Sequence, residues 1–472
     1  MHQKPSDVRV VGVELYFLPV ETRTPLKFGT ETLTSVTCAR VRIIVADRAG
    51  RTMDGWGETP LSVQWAWPSS LGYGVRHEAM REFCRIAAQA WVEFGEIGHA
   101  LEVGEAFGRS RLTTLRDRVS EPLPTNERLP LLAALVCSSP FDIALHDAYA
   151  RLLDLPVYET YGPAHLNRDL SHYLEGAADA NVDFRGKYPA AFLTLPPKQS
   201  LPVWHLVGGL DPLTAEEATG DPPRDGHPYY LDDWIKRDGL TCLKIKLRGN
   251  DFDWDYNRVV SVGRLAAPLG VTHLTTDFNC TVQDPAYVNR MLERWQADAP
   301  KVYDSILYVE QPFPYDMEAH PINVHSVAAQ KPLLMDESAD SWSHVRLGRS
   351  LGWNGVALKT CKTQTGALLS LCWAKAHGMH VMVQDLTNPM LAQIPHVLLA
   401  AHADTMMGVE SNAMQFYPDA SAAEAAVHPG LYQRRGGRLD LSSLRGAGFG
   451  YRIEEIDRQL PPAAERFTSS YT

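Results

Sequence analysis

Two lysines stand one residue apart in the apolar run TCLKIKLRGND, residues 241–251. If that run is a strand, alternation points Lys244 and Lys246 to one side and Ile245 to the other. Alone, such a pair reads as the solvated face of an edge strand. Here further apolar runs downstream also close on ionisable side chains. VTHLTTDFN ends on Asp277, with Asn279 two residues on, and DSILYVEQPFP ends on Glu310. KPLLMDES ends on Asp336, followed by Glu337; NGVALKTCKT ends on Lys359, MHVMVQDLTNP on Asp385 and DTMMGVESN on Glu410. Were Asp277, Glu310 and Asp336 to converge, their repulsion would resist ionisation unless a cation relieved it. An all-oxygen donor set without Cys or His favours Mg²⁺ over Zn²⁺. Asn279, Gln311 and Glu337 lie near enough in sequence to act as outer partners. Structural ion pairs between these carboxylates and the lysines are the competing reading, a costly way to fill a buried site.

The elements that must position these residues follow from the spacing. From Lys246 onward the charged strand ends recur 23 to 33 residues apart. The gaps hold helix-like text such as PAYVNRMLERWQAD and TGALLSLCWAKAHG. A strand, a helix and two loops need about that length, so the pattern is a β/α repeat. With LPVWHLVGG, residues 201–209, as a first strand, the units number eight and predict a parallel (β/α)8-type barrel. Each charged residue then falls at the C-terminal end of its strand, the face where such barrels keep their chemistry. The lysine pair lies on strand 2 and Lys359 on strand 6, diametrically opposed, with the three carboxylates on the arc between them.

Composition bounds the rest. The 472 residues can bury a sizeable core in more than one domain, and 45% hydrophobic with 21% charged residues is ordinary for a globular enzyme. A formal charge of −11 without a long basic run argues against nucleic acid as a partner. Seven cysteines without a C-x-x-C spacing read as reduced, buried thiols, and a cytoplasmic location is expected. MHQKPSDVRV lacks an apolar signal core, and no stretch is expected to reach the length of a membrane span.

As an ordered set, K-x-K at Lys244 and Lys246, D-x-N at Asp277 and Asn279, E-Q-P at Glu310–Pro312, D-E-S at Asp336–Ser338 and the strand-6 Lys359 resemble the enolase superfamily. The likeness is to its mandelate racemase/muconate lactonizing enzyme family, in the muconate-lactonizing-enzyme-like branch. It extends beyond the barrel. SSPFDIALHDAYARLLDLPVYETYGP (138–163) looks like the helix and turn leading into that family's barrel. VRVVGVELYFLPV and TCARVRIIVADRAGRTMDGWGETPLS look like its α+β capping domain, which GGRLDLSSLRGAGFGYRIEEI would return to complete. The implied division is a cap over 1–137, a barrel over 138–415 with an insertion near 164–200, and a C-terminal segment over 416–472. The resemblance implies Mg²⁺ on Asp277, Glu310 and Asp336, and abstraction of the α-proton of a small carboxylate through an enediolate.

Lysine acts as a base only when neutral, which Lys244, the metal and burial would favour at Lys246. Lys246 is thus expected as base on one face, Lys244 on the substrate carboxylate, and Lys359 on the opposite face. A base on each face makes a racemase or epimerase the preferred reading; a cycloisomerase or acid dehydratase using one lysine is the alternative. A catalytically silent carboxylate-binding protein is a third. Lys362 competes with Lys359, and strand 7 closes on Gln384–Asp385 where that branch more usually has a glutamate. His377 and His380 read as structural. Two cap loops, 24–35 and 57–70, are expected to close over the barrel, offering Lys27, Phe28, Trp65 and Trp67 as pocket or packing residues. The insertion is expected as an ordered loop over the site or at a contact between copies, and a homo-oligomer without membrane partners is expected.

Overall fold

The computed structural model describes residues 4–28, 30–217 and 221–469. Three antiparallel strands open the chain: β1 (Val8–Phe28), β2 (Glu31–Asp47) and β3 (Thr52–Pro60). The C-terminal strand Glu465–Thr468 pairs antiparallel with β1, so the tail of the chain completes this sheet. Helix Leu131–Leu152 packs on β3, where two glycines admit it backbone to backbone. A Cβ at Gly57 would stand 2.1 Å from the Pro140 carbonyl oxygen. The boundary expected at 138 falls inside this helix. By length and composition the helix is also apolar enough to cross a membrane, which corrects the expectation that no stretch is. With 89% of that window buried, it is a core helix of the cap. A buried ion network further ties cap to tail: Arg40 on β2 pairs with Glu58 on β3 and with Glu424, which also binds Arg458.

The second sheet has nine strands, eight of them parallel, β4 (Ser200–Val207), β5 (Cys242–Lys246), β6 (His273–Asp277), β7 (Ile306–Glu310), β8 (Leu333–Met335), β9 (Gly355–Leu358), β10 (His380–Val383) and β11 (Val409–Glu410), with the short strand Arg438–Asp440 antiparallel on β4. The eight run in chain order from β4 to β10, with β11 on the other side of β4 from β5. The remaining seam is bridged where Met406 N–H donates to the Val381 carbonyl at 2.9 Å. Between strands lie helices that start on side-chain caps, Asp251, Asp284 and Ser341, as the loop-to-helix turns require. This is the expected barrel with its α+β cap.

The period of two along a strand fixes what faces inward. Trp204, Cys242, Tyr308, Leu334 and Met382 meet inside the ring as an apolar plug. The next inward residue of each strand, two positions on, sits one layer higher: Leu206, Lys244, Glu310, Asp336 and Gln384. The same count on β6, β9 and β11 brings up Asp277, Lys359 and Glu410.

Residues 164–200 wrap the outside of the barrel. Trp373 Nε1 donates to the Glu175 carbonyl at 2.8 Å, Ala177 N–H to His377 Nε2 at 3.0 Å, and Thr194 N–H to the His402 carbonyl at 2.8 Å. Those partners precede β10 and β11, at the end of the barrel away from the charged strand termini, so the insertion does not cover the site. All seven cysteines are unpaired.

Candidate active site

One layer above the plug, ammonium groups and carboxylates form a buried cluster. Lys244 Nζ donates to Glu310 Oε1 at 2.7 Å and to Glu410 Oε2 at 3.0 Å, with Asp277 Oδ2 at 3.1 Å. Lys246 Nζ stands 2.5 Å from that same Asp277 oxygen. Across the ring, Lys359 Nζ lies 3.2 Å from Asp336 Oδ2 and donates to the Asp385 carbonyl at 2.8 Å. Lys244, Lys246, Lys359, Asp336, Asp385 and Glu410 line one cavity of about 40 Å³. Lys362 is not part of that wall. Its ammonium is held by the Asp336 and Ala339 carbonyls and, at 3.4 Å, by Asp336 Oδ1.

Several of the groups that hold this cluster were not singled out from the sequence. Gln384, rather than Asp385, is the inward residue of β10; its Oε1 lies 3.3 Å from Lys244 Nζ and its amide donates to Glu310 and to Tyr308. Asp385 instead accepts from Asn412 N–H at 2.8 Å, while Asn412 Nδ2 donates to Glu410 Oε1 at 2.8 Å. Gln311, expected as an outer partner, holds the turn after β8 by accepting from Asp336 N–H at 2.7 Å and Ser338 Oγ at 2.8 Å.

Burial and charge set the protonation of the cluster. Burial pushes Glu310 well above the usual carboxylate range, and Asp277 beside it adds to the push. Burial opposes ionisation of Asp277 too, but Lys246 and Lys244 outweigh it and hold that carboxyl low. Asp336 is likewise held low, against burial, by Lys359 and Lys362. Burial, then Asp336 and Asp277, push Glu337 up to about 7. Lys244 and Lys359 keep their charge because Glu310 and Asp336, respectively, outweigh the cost of burial and raise both above the ordinary lysine range.

The donor set can be tested against a divalent cation. Six buried carboxyl groups (Asp277, Glu310, Asp336, Glu337, Asp385 and Glu410) meet four buried lysines, so acidic groups outnumber ammonium groups by two, and a cation among them would favour ionisation of Glu310 and Glu337, which burial pushes up. Glu337 Oε2 and Asn279 Oδ1 are buried without a partner, although Asn279 Nδ2 donates to Glu337 Oε1 at 3.0 Å. Among the described residues no three acidic side chains ring a single point, while Asp277, Glu310, Asp336 and Glu410 are each drawn to an ammonium group. Donor type and the excess of acidic groups fit a hard dication.

The cap closes the site from above. The expected loop 24–35 is mostly the end of a β-hairpin, with Leu26 opposite Leu33 and Phe28 opposite Glu31; Gly29 lies outside the described residues. Alternation sends Leu26, Phe28 and Leu33 to the cavity. Lys27 points the other way, its stem against Gly209, where a Cβ would meet Lys27 Cγ at 3.2 Å. Past β3, the short helix Val63–Ala66 carries Trp65, whose ring centroid lies 5.1 Å from Lys359 Nζ. Lys246 Nζ stands 5.9 Å from the Phe28 ring. Trp67 packs instead in the cap core, its carbonyl accepting from Arg76. A second chamber of about 460 Å³ shares the Phe28 and Trp65 walls and reaches Asn279, Cys280 and Tyr315.

Residues 230–456 match the family model described as Enolase C-terminal domain-like. The fold is similar to that of a muconate lactonizing enzyme from Mucobacterium Smegmatis, with 17% identity, TM-score 0.60, and 96% of this chain and 97% of that chain covered. It is similar to a dipeptide epimerase from Enterococcus faecalis solved with Mg and the dipeptide L-Leu-L-Tyr (16%, TM-score 0.60, 94% and 99% covered). A third is an N-succinyl Arg/Lys racemase from Bacillus cereus (15%, TM-score 0.59, 97% and 99% covered). No curated protein sequence matches the chain.

Proposed function

We propose that this chain is a member of the enolase superfamily, in its mandelate racemase/muconate lactonizing enzyme family, and that it abstracts the α-proton of a small carboxylate substrate and returns it on either face. The observation that carries the reading is the placement of Lys246 and Lys359, from strands on opposite sides of the ring, on the walls of one buried cavity. A carboxylate entering there meets the Lys244 ammonium, which Glu310 keeps protonated against the cost of burial. Lys359, held charged by Asp336, delivers a proton to one face. Lys246, on the other face, takes or gives a proton once Asp277 turns to another partner. Mg²⁺ held by Asp277, Glu310 and Asp336 would supply Lewis-acid stabilisation of the charge that develops on the substrate carboxylate. Trp65 and Phe28 keep water from the lysines, which strengthens each charge interaction.

Racemisation or epimerisation needs both lysines, whereas a lyase of the same superfamily needs proton abstraction by only one. The wild-type enzyme, incubated with Mg²⁺ and a panel of carboxylates in D₂O, tests this by mass spectrometry and chiral separation. Deuterium at the α-carbon of both stereoisomers supports the proposal. Net loss of a leaving group, or exchange from a single stereoisomer, moves the assignment to a lyase, and no exchange from any carboxylate ends it.

A further inference from the structure

Lys359 is held differently from Lys246. A lysine ammonium has three protons to donate. Those of Lys359 meet Asp336 Oδ2 at 3.2 Å and the Asp385 carbonyl at 2.8 Å, which leaves one for the cavity that Lys359 lines. Asp336 is also a proposed ligand of Mg²⁺, so the Asp385 carbonyl is the anchor for which Lys359 has no competitor. That carbonyl lies past the end of β10, outside its ladder with β9. What is pinned there is the Asp385 side chain. Asn412 N–H donates to Asp385 Oδ2 at 2.8 Å, and Asn412 Nδ2 donates to Asp385 Oδ1 at 3.2 Å. The loop then bends through Thr387, a β-branched residue at φ 57°, a conformation that persists only where the surroundings hold it. Asn412 is itself fully buried, and its Oδ1 accepts from Leu206 N–H of β4 at 3.0 Å. Its Nδ2 also donates to Glu410 Oε1 at 2.8 Å. An amide suits this position, since it gives protons to two carboxylates and takes one from a peptide. Lys246 has no part in this chain of contacts, being anchored on Asp277 of β6.

We propose that Asn412 is a positioning residue for Lys359. By gripping both oxygens of Asp385 it fixes the peptide whose carbonyl orients that ammonium, and so sets proton transfer on one face of the substrate only. The inference rests on the proposed function, because it takes Lys359 as the proton carrier on that face. Asn412 also reaches Lys244 through Glu410, and Lys244 meets the substrate carboxylate whichever stereoisomer is bound. Loss of Asn412 therefore affects the binding of both stereoisomers alike but the turnover of one.

Exchange of the α-proton in D₂O, measured for Asn412→Ala with each stereoisomer of a turned-over carboxylate, tests the inference. KM should rise by a similar factor for both stereoisomers. For the stereoisomer whose exchange Lys359→Ala stops, kcat is expected to fall about 10- to 10²-fold, the effect of a misplaced catalytic group, and to stay within about threefold for the other. The retained exchange also reports an intact fold. Asn412→Asp keeps the size of the side chain and an acceptor for Leu206 while replacing the Nδ2 donor by an acceptor, and should show the same one-sided loss. A crystal structure of Asn412→Ala reads the positioning without the reaction, and there Lys359 Nζ is expected to leave the Asp385 carbonyl. An equal fall of kcat for both stereoisomers in both variants, an unchanged ratio, or a Lys359–Asp385 bond kept at 2.8 Å in Asn412→Ala overturns the inference. The two readings fail separately. A wild type that exchanges one stereoisomer or neither refutes the reaction, while the bond in the variant structure still decides this inference. Exchange from both stereoisomers with that bond kept refutes this inference alone.

Discussion

At the scale of single residues, the site is a balance of buried charge. Asp277, Glu310 and Asp336 are each paired with at least one ammonium, so removing any of them leaves a lysine uncompensated and weakens the hold on a dication. Asp277→Ala, Glu310→Ala and Asp336→Ala are each expected to lower turnover by at least about 10²-fold and to weaken Mg²⁺ binding in a calorimetric titration. Full activity after exhaustive chelation would contradict the metal assignment. Most of the cluster was legible in the sequence, because a charged residue at the end of an apolar run is visible without coordinates. Gln384 was passed over for its charged neighbour Asp385, yet counting by two from Met382 selects it. Asn412 carried no such signal, since its role is to bridge Asp385 and Glu410 across two strands.

At the scale of elements, the cap separates two tryptophans that the sequence could not tell apart. Trp65 faces the lysines from a short helix, while Trp67, two residues on, is fully packed in the cap. Trp67→Ala is expected to cost about 3–5 kcal/mol of stability, seen as a lower melting temperature. Trp65→Ala should instead raise KM or change substrate preference with a smaller loss of stability. The opposite pattern would place Trp67 at the pocket. The hairpin was read as a loop because Pro25, Gly29 and several threonines mask its alternation. Its register shift between Glu21 and Leu26 also breaks the pattern where the strand bends toward the barrel. That misreading kept Lys27 among the pocket candidates; in an extended strand its neighbours Leu26 and Phe28 face the cavity instead.

At the scale of the whole molecule, barrel and cap meet through helix Leu131–Leu152, and buried titratable groups lie on that seam. His146 contacts Thr365 Oγ1 and Tyr161 OH, each at 2.9 Å, and burial pushes it down to about 3. The unfolded chain therefore takes up this proton first, and stability falls as pH drops below about 6.5, by at most about 1.4 kcal/mol per pH unit. Asp142, one turn earlier, is pushed up to about 6 by burial while accepting from Thr365. Its folded form binds a proton before the unfolded chain does, so its contribution rises as pH drops from about 6 toward 4 and offsets His146. In Asp142→Asn that offset is gone, and the melting temperature should fall more steeply between pH 6 and 4 than in the wild type. Equal slopes would contradict the assignment. Seven of the barrel's eight units were legible because their strand ends repeat one chemical signal, whereas β4 ends on Leu206 and Val207 and was placed by the count of units. The insertion at 164–200 carries no such repeat, and its place emerged only from its contacts with the outer helices.

The proposed reaction requires Lys246 and Lys359 to act on opposite faces of one substrate. It is tested most directly by stereospecific α-proton exchange in D₂O, measured for Lys246→Ala and Lys359→Ala with each stereoisomer of a turned-over carboxylate. Each variant is expected to lose exchange from a different stereoisomer, by about 10²- to 10⁴-fold, and to retain it from the other. Loss from the same stereoisomer in both variants, or full exchange in Lys359→Ala with none in Lys362→Ala, would contradict the account.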